Sequence, residues 1–245
     1  MTIFDKDKIS FVHPPRCGGA SMRVAILNCG YPEQRFFYGN YSHQPAFEMR
    51  HFAAWKDSYK FTIVRNPWSR MVSMWNALFV KKLDRFPEYL PQLSVKDAEF
   101  LGKQTARQGF KLFLKNFNAQ VWNYPQSYPT ISPGQAMNSV LDPQMCWLTE
   151  NGKTNGEVEL DDIFRFEDMP AIYEHLGVEP DKIKGWTPYA DGSYMDYYDD
   201  ESRDIIAKRF EPDIRRLGYE FEGPEFPHVG EDSEEWKKQK ELLKG

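Results

Sequence analysis

Short runs of β-branched and aromatic residues alternate along this chain with segments whose apolar positions recur every three or four residues. The first run, Ile9-Ser10-Phe11-Val12, stops at His13-Pro14-Pro15. A glycine pair follows, and Ser21 to Leu27 then has helical apolar spacing that closes near Cys29-Gly30. The layout repeats at Tyr59 to Val64, a buried-strand pattern broken at Asn66-Pro67 and continued by Met71, Val72, Met74, Trp75, Leu78 and Phe79. Asn66 has the side chain of a helix N-cap, and Pro67 suits the first helical position. A third strand, Asp162 to Phe166, leads through Glu167-Asp168-Met169-Pro170 into a helix over Ala171 to Leu176, stopped at Gly177. Glu201 to Leu217 reads as one amphipathic segment, with Ile205, Ile206, Phe210, Ile214 and Leu217 on one face. Strands alternating with helices predict an α/β domain built on a mainly parallel sheet.

Between Asn116 and Leu141 no residue is charged, and Pro125, Pro129 and Pro133 rule out one long helix. The rings Phe117, Trp122, Tyr124 and Tyr128 in that stretch suit an ordered surface loop that walls a pocket, or a packed connector. After Pro227 the tail is rich in charge and reads as solvated, with residues 228–245 outside the folded core. The whole chain of 245 residues reads as a single domain, 1–245, with its core at about 8–222.

Composition narrows the function. The formal charge of −5 lacks the basic surplus of a general nucleic-acid binder, so no nucleic-acid partner is expected. No apolar run is long enough to span a bilayer, and Met1 to Lys8 has no signal-peptide character, so no membrane partner is expected. Three cysteines, Cys17, Cys29 and Cys146, are too few for a disulfide framework and are not spaced with histidines as zinc ligands. A cytoplasmic location without a metal is the expectation.

Two segments carry candidate chemistry. In His13-Pro14-Pro15-Arg16-Cys17-Gly18-Gly19-Ala20-Ser21, two glycines between a strand and a helix let backbone N–H groups turn toward one point. The helix start adds the positive end of its dipole, Arg16 a full charge and Ser21 a hydroxyl. This is an anion cradle suited to phosphate or sulfate, or else a tight turn with an exposed arginine. It is not a Walker A loop, because the cation precedes the glycines. In Arg65-Asn66-Pro67-Trp68-Ser69-Arg70-Met71-Val72-Ser73, Arg65 ends a strand and can face the same crevice at the strand C-termini. Arg65 and Ser73 are placed to share one phosphate, whereas Arg70 reads as a structural cation.

Together these segments carry a resemblance. HPPRCGGAS resembles the 5'-phosphosulfate loop of sulfotransferases, P-K-T-G-G-T-S, and RNPWSRMVS matches their 3'-phosphate motif, R-[ND]-P-x-x-R-x-x-S, at every fixed position. Arg50-His51-Phe52-Ala53-Ala54, Pro143-Gln144, Phe164-Arg165-Phe166-Glu167, Tyr197-Tyr198-Asp199, Phe210-Glu211-Pro212-Asp213 and Gly218-Tyr219-Glu220-Phe221 follow in the order of the carbohydrate-type branch. The resemblance implies a P-loop NTPase-like, doubly wound α/β fold with about five parallel strands. It implies a metal-free enzyme moving a sulfuryl group from 3'-phosphoadenosine 5'-phosphosulfate (PAPS) to a hydroxyl or amine, leaving adenosine 3',5'-bisphosphate (PAP). Arg16 stands where the family has lysine, Cys17 and Ala20 where it has threonine. By position Arg16, Cys17, Gly18, Gly19, Ala20 and Ser21 bind the 5'-phosphosulfate, and Arg65 and Ser73 the 3'-phosphate. The acceptor implied is a carbohydrate or another small molecule.

In-line sulfuryl transfer needs positioning, charge stabilisation and a base for the acceptor proton. His51 is the first choice of base, with Arg16 offsetting charge on the leaving group; His43 and Glu48 are the reserves, and His13 belongs to the frame of the loop. Two other readings stand beside this one. Cys17 to Arg23 fits the C-x5-R pattern of cysteine phosphatases, and a non-catalytic PAP- or PAPS-binding module would use the same cradle.

Overall fold

The computed structural model describes residues 2–4, 9–28, 33–34, 43, 45–76, 106–116, 142–177 and 193–224. Five strands form one sheet in the spatial order β3 (Glu33–Gln34), β1 (Thr2–Phe4), β2 (Ile9–Val12), β4 (Tyr59–Val64) and β5 (Asp162–Arg165). The pairs β2–β4 and β4–β5 are parallel, in a register that sets Phe11 beside Phe61 and Val64 beside Arg165. The expectation of about five parallel strands holds in number but not in every direction. β1 runs antiparallel to both of its neighbours. The reason is length: four residues separate Phe4 from Ile9, and a parallel return needs a crossover of about a dozen residues or more.

Alternation along the three parallel strands sends side chains to both faces of the sheet. Phe11, Phe61, Ile63 and Phe164 pack on one face against Met22, Ala25 and Ile26 of α1 (Gly19–Asn28). Near the Phe164 end that face is covered by Met169, Ile172 and Tyr173 of a later helix, Met169–His175. The other face buries Val12, Val64 and Ile163 under α2 (Ala46–Met49) and α3 (Ala53–Asp57). Helices therefore cover both faces, as a doubly wound α/β sheet requires.

β4 turns through Arg65 and Asn66 into α4 (Pro67–Trp75), as the Asn-Pro pair predicts. The Asn66 side chain accepts from the N–H groups of Trp68 and Ser69, at 3.0 and 3.2 Å. α4 is buried along its whole length and joins a third apolar cluster with α5 (Ala106–Asn116). The other α-helices among the described residues are α6 (Met145–Leu148), α7 (Met169–His175), α8 (Asp200–Arg209) and α9 (Glu211–Leu217). The segment read as continuous from Glu201 to Leu217 is thus two helices, parted at Phe210. Pro212 explains the break: it has no N–H to give to the preceding turn, and it sits instead in the first turn of α9. The chain then closes with a short hairpin, β6 (Tyr219–Glu220) and β7 (Gly223–Pro224). Most of the uncharged stretch 116–141 and the charged tail 228–245 lie outside the described residues.

Candidate active site

β2, β4 and β5 end at the same edge of the sheet, so the segments that leave them meet: residues 13–18, residues 65–66 and residues 166–168. In the first, the ring of His13 is buried and stacks on Phe11 with centroids 5.4 Å apart. Gly19, where α1 begins, lies flat on that ring, and a Cβ there would enter the imidazole. Gly18 has φ +80°, and a Cβ on it would come within 2.7 Å of Phe166. Both glycines are therefore demanded by close approach. Arg16 also has a positive φ, 67°, and its side chain stands exposed at the loop's crest. Ala20 is exposed and Ser21 half-buried on the first turn of α1.

The Arg65 guanidinium is almost wholly buried and lies 4.0 Å from the centre of the Phe166 ring. Its Nε donates to Ser69 Oγ at 2.9 Å, and its Nη1 donates to the Arg16 carbonyl at 3.2 Å. The Arg16 guanidinium returns the contact across the site: Nε and Nη2 donate to Ser73 Oγ at 3.3 and 3.0 Å. The structure thus brings Arg16, Arg65 and Ser73 together, 57 residues apart in sequence for the Arg16–Ser73 pair. It places Arg16 on the hydroxyl that the family pattern allots to the other phosphate, so the two segments meet side by side.

Behind the cradle is a set of buried polar side chains. The Gln144 amide touches both segments, accepting from Arg65 N–H at 2.8 Å and from the Cys17 thiol at 3.0 Å. Its Nε2 donates to the Arg65 carbonyl at 2.8 Å. Asp213 of α9 accepts from the backbone N–H groups of Gln144 and Met145 at 2.7 and 2.9 Å, and its burial pushes its carboxyl up. Arg70 is spent on carbonyls, Pro15 at 2.9 Å and Asp142 at 3.0 Å, as a structural cation is. Glu167 closes the arrangement, accepting from Asn66 N–H at 2.8 Å and from the Tyr219 hydroxyl at 3.1 Å. Sequence reasoning met Gln144, Phe166, Glu167 and Asp213 only as parts of a family pattern and assigned them no role. Nothing in residue spacing marks an aspartate as the one that will be buried beneath a glutamine.

The cysteine reading fails on this geometry. Cys17 is fully buried, its sulfur turned inward to Gln144 and to the Pro15 carbonyl at 3.6 Å. Burial outweighs the pull of Arg70 and Arg65 and pushes the thiol up from 9.0 to about 12. A nucleophile must be an accessible thiolate, so Cys17 cannot serve the C-x5-R chemistry. Its thiol instead ties the loop to Gln144.

The histidines lie in different settings. His51 occupies the exposed turn between α2 and α3, and among the described residues no hydrogen bond, ion pair or ring contact involves its side chain. His43 packs on the loop: its ring lies 4.1 Å from that of His13, and Nδ1 is 3.0 Å from the His13 carbonyl. A carbonyl can only accept, so Nδ1 carries the proton and Nε2 the lone pair. Burial first, and then the charge of Arg16, lowers this imidazole from 6.5 to about 4 and keeps it neutral. Glu48 is half-buried on α2, its carboxyl pushed up by burial. Among the described residues no group of three or more His, Cys, Asp or Glu is placed to hold a metal ion, and no helix is long and apolar enough to cross a membrane.

Comparison with known families gives one match: the model of the Sulfotransferase family covers residues 1–156. That span takes in the loop, the Arg65–Ser73 corner and Gln144, and stops short of β5 and Asp213. Neither the curated proteins nor the solved structures yield a match.

Proposed function

The chain belongs to the sulfotransferase family, and on that premise we propose that it transfers a sulfuryl group from PAPS to a hydroxyl or amine of a carbohydrate or other small molecule. One observation carries the reading: Arg16, Arg65 and Ser73 converge beside the N-terminus of α1, at the edge where the parallel strands end. Open α/β sheets bind ligands at that edge, and an anion there meets two guanidinium groups, a hydroxyl and the N–H groups of a helix start. Gly18 and Gly19 leave the loop backbone bare of side chains, as close approach of a phosphate requires.

In the proposed reaction the acceptor oxygen or nitrogen bonds to sulfur as the bond from sulfur to the nucleotide oxygen breaks. The acceptor proton passes to a protein base, and negative charge gathers on the departing phosphate. Arg16 offsets that charge; being arginine, it does so without giving up a proton. Arg65, packed against Phe166, and Ser73 fix the nucleotide's other phosphate. For the base, the geometry favours His43 over His51. His43 is anchored to the loop through Nδ1, leaving Nε2 as a proton acceptor in the neutral ring. A dianionic donor beside it would offset the Arg16 charge that disfavours protonation. The cytosol is the compartment proposed, since it keeps thiols such as Cys17 and Cys146 reduced.

The test is a thermal-shift titration with PAP followed by sulfate-transfer assays over sugars, phenols and amines. Wild-type protein should be stabilised by about 2.7 kcal/mol at a hundredfold excess of nucleotide over its Kd. Arg65→Ala should lose the shift. His43→Gln should keep the shift and lose turnover, while His51→Ala should keep both. Loss of turnover in His51→Ala alone would return the base to that residue. Binding without transfer to any acceptor would favour the non-catalytic module.

A further inference from the structure

Gln144 is completely buried, and its side-chain amide uses all four of its hydrogen-bonding positions. Oε1 accepts from the Arg65 N–H at 2.8 Å and the Cys17 thiol at 3.0 Å. Nε2 donates to the Arg65 carbonyl at 2.8 Å and to Asp213 Oδ2 at 3.3 Å. Toward Arg65 the amide imitates a neighbouring peptide group, pairing with both main-chain atoms just where β4 ends. Toward Cys17 it grips the residue between Arg16 and Gly18. One planar group of fixed size therefore spans the two segments that form the cradle.

We propose that Gln144 is a positioning residue that sets the spacing between the Arg16 loop and the Arg65 corner, and so the affinity of the site for a bisphosphorylated nucleotide. This rests on the sulfotransferase reading above. The amide touches no ligand; it acts through Arg65 and Cys17. Its own placement is fixed by Asp213, which holds the Gln144 main chain as well as its side chain. Arg70 braces the same spacing from the far side, between the carbonyls of Pro15 and Asp142. A site that clamps two phosphates is sensitive to such spacing, because a displacement of about 1 Å can cost two orders of magnitude in rate.

The inference is distinguishable from a general contribution to folding because the amide can be replaced by groups that differ in one property. Gln144→Glu keeps length and the acceptor, loses the Nε2 donor, and at high pH sets a carboxylate against Asp213. The charged or titratable groups facing it are Cys17 from the loop, Arg65 at the end of β4, Arg70 from α4, Asp142 just before it and Asp213 from α9. When protonated, the introduced carboxyl again offers one donor and one acceptor. Gln144→Met keeps length and volume and makes no hydrogen bond.

The experiment is calorimetric titration of PAP into the full-length wild type and both variants, at about pH 6 and about pH 9, with unfolding curves on the same samples. Gln144→Met should bind roughly tenfold or more weakly than wild type at both pH values. Gln144→Glu should be weaker by at least about tenfold at the higher pH, with its ratio to wild type closing to about threefold at the lower. Should Gln144→Met not fold, the change in the Gln144→Glu ratio between the two pH values decides. Wild-type affinity in both variants, or a Gln144→Glu ratio that does not move with pH, overturns the inference and leaves the donor reading standing. Failure of the wild type to bind PAP overturns the donor reading and this inference with it.

Discussion

His43 shows at the scale of a residue how a fold changes the chemistry a sequence advertises. A free imidazole protonates near 6.5, but packed on His13 beside Arg16 this ring does so only at about 4. Between those pH values the unfolded chain takes up a proton that the folded chain refuses, so stability must fall as pH drops through that window. Above about 6.5 both states are neutral at this ring and it contributes no slope. Urea unfolding of wild type and His43→Gln at several pH values from about 7.5 to about 4 should show the wild type losing more stability on acidification, the two curves running parallel above the window. In the sequence the residue was legible only as a reserve choice of base. Preference for His51 came from its place in a pattern, and only burial and the hydrogen bond to the His13 carbonyl bring His43 forward. For Cys17 the sequence allowed a reactive thiol; the direction its side chain points, which no spacing encodes, removed it.

Elements were more legible, because periodicity and capping are local. The strands at Ile9–Val12 and Tyr59–Val64 stand where the apolar runs end. α4 begins at Pro67 because Asn66 caps it, and the same Asn66 is tied to other parts of the chain, its N–H to Glu167 at 2.8 Å and its Nδ2 to the Glu220 carbonyl at 2.7 Å. Asn66→Ala should therefore cost at least the ~1–2 kcal/mol of a lost cap. Asn66→Asp keeps the cap and gives up only the donor to Glu220, so chemical denaturation should rank it between wild type and Asn66→Ala. The joint at Phe210 was not legible from the amphipathic face alone, since Ile206, Phe210, Ile214 and Leu217 are all buried or half-buried on either side of it. Pro212 was the signal. β1 was not read from the sequence at all, because three residues are too short a run to show alternation, and its direction follows from connection length and not from any strand pattern.

At the scale of the molecule, the family match and the physical unit have different limits. Residues 1–156 hold every side chain assigned to the nucleotide, yet most of what backs them lies beyond. β5 completes the pairing of β4. Phe166 lies against the Arg65 guanidinium. Asp213 holds Gln144, and Glu167 and Glu220 hold Asn66. A chain ending at residue 156 should leave one side of β4 unpaired and Gln144 without its carboxylate. We expect it to give no cooperative unfolding transition by circular dichroism and no response to PAP, whereas residues 1–224 should give both. A two-state melt with nucleotide stabilisation in the shorter chain would show that the C-terminal part is dispensable.

Because Asp213, in the first turn of α9, reaches back to the glutamine between the Arg16 loop and the Arg65 corner, exchanging C-terminal thirds between relatives would transplant more than whatever that part contributes to acceptor choice. A chimaera that switched substrates would also have had its Arg16 loop and Arg65 corner re-seated. Nucleotide affinity would have to be measured on each hybrid before any change in preference could be credited to the acceptor side.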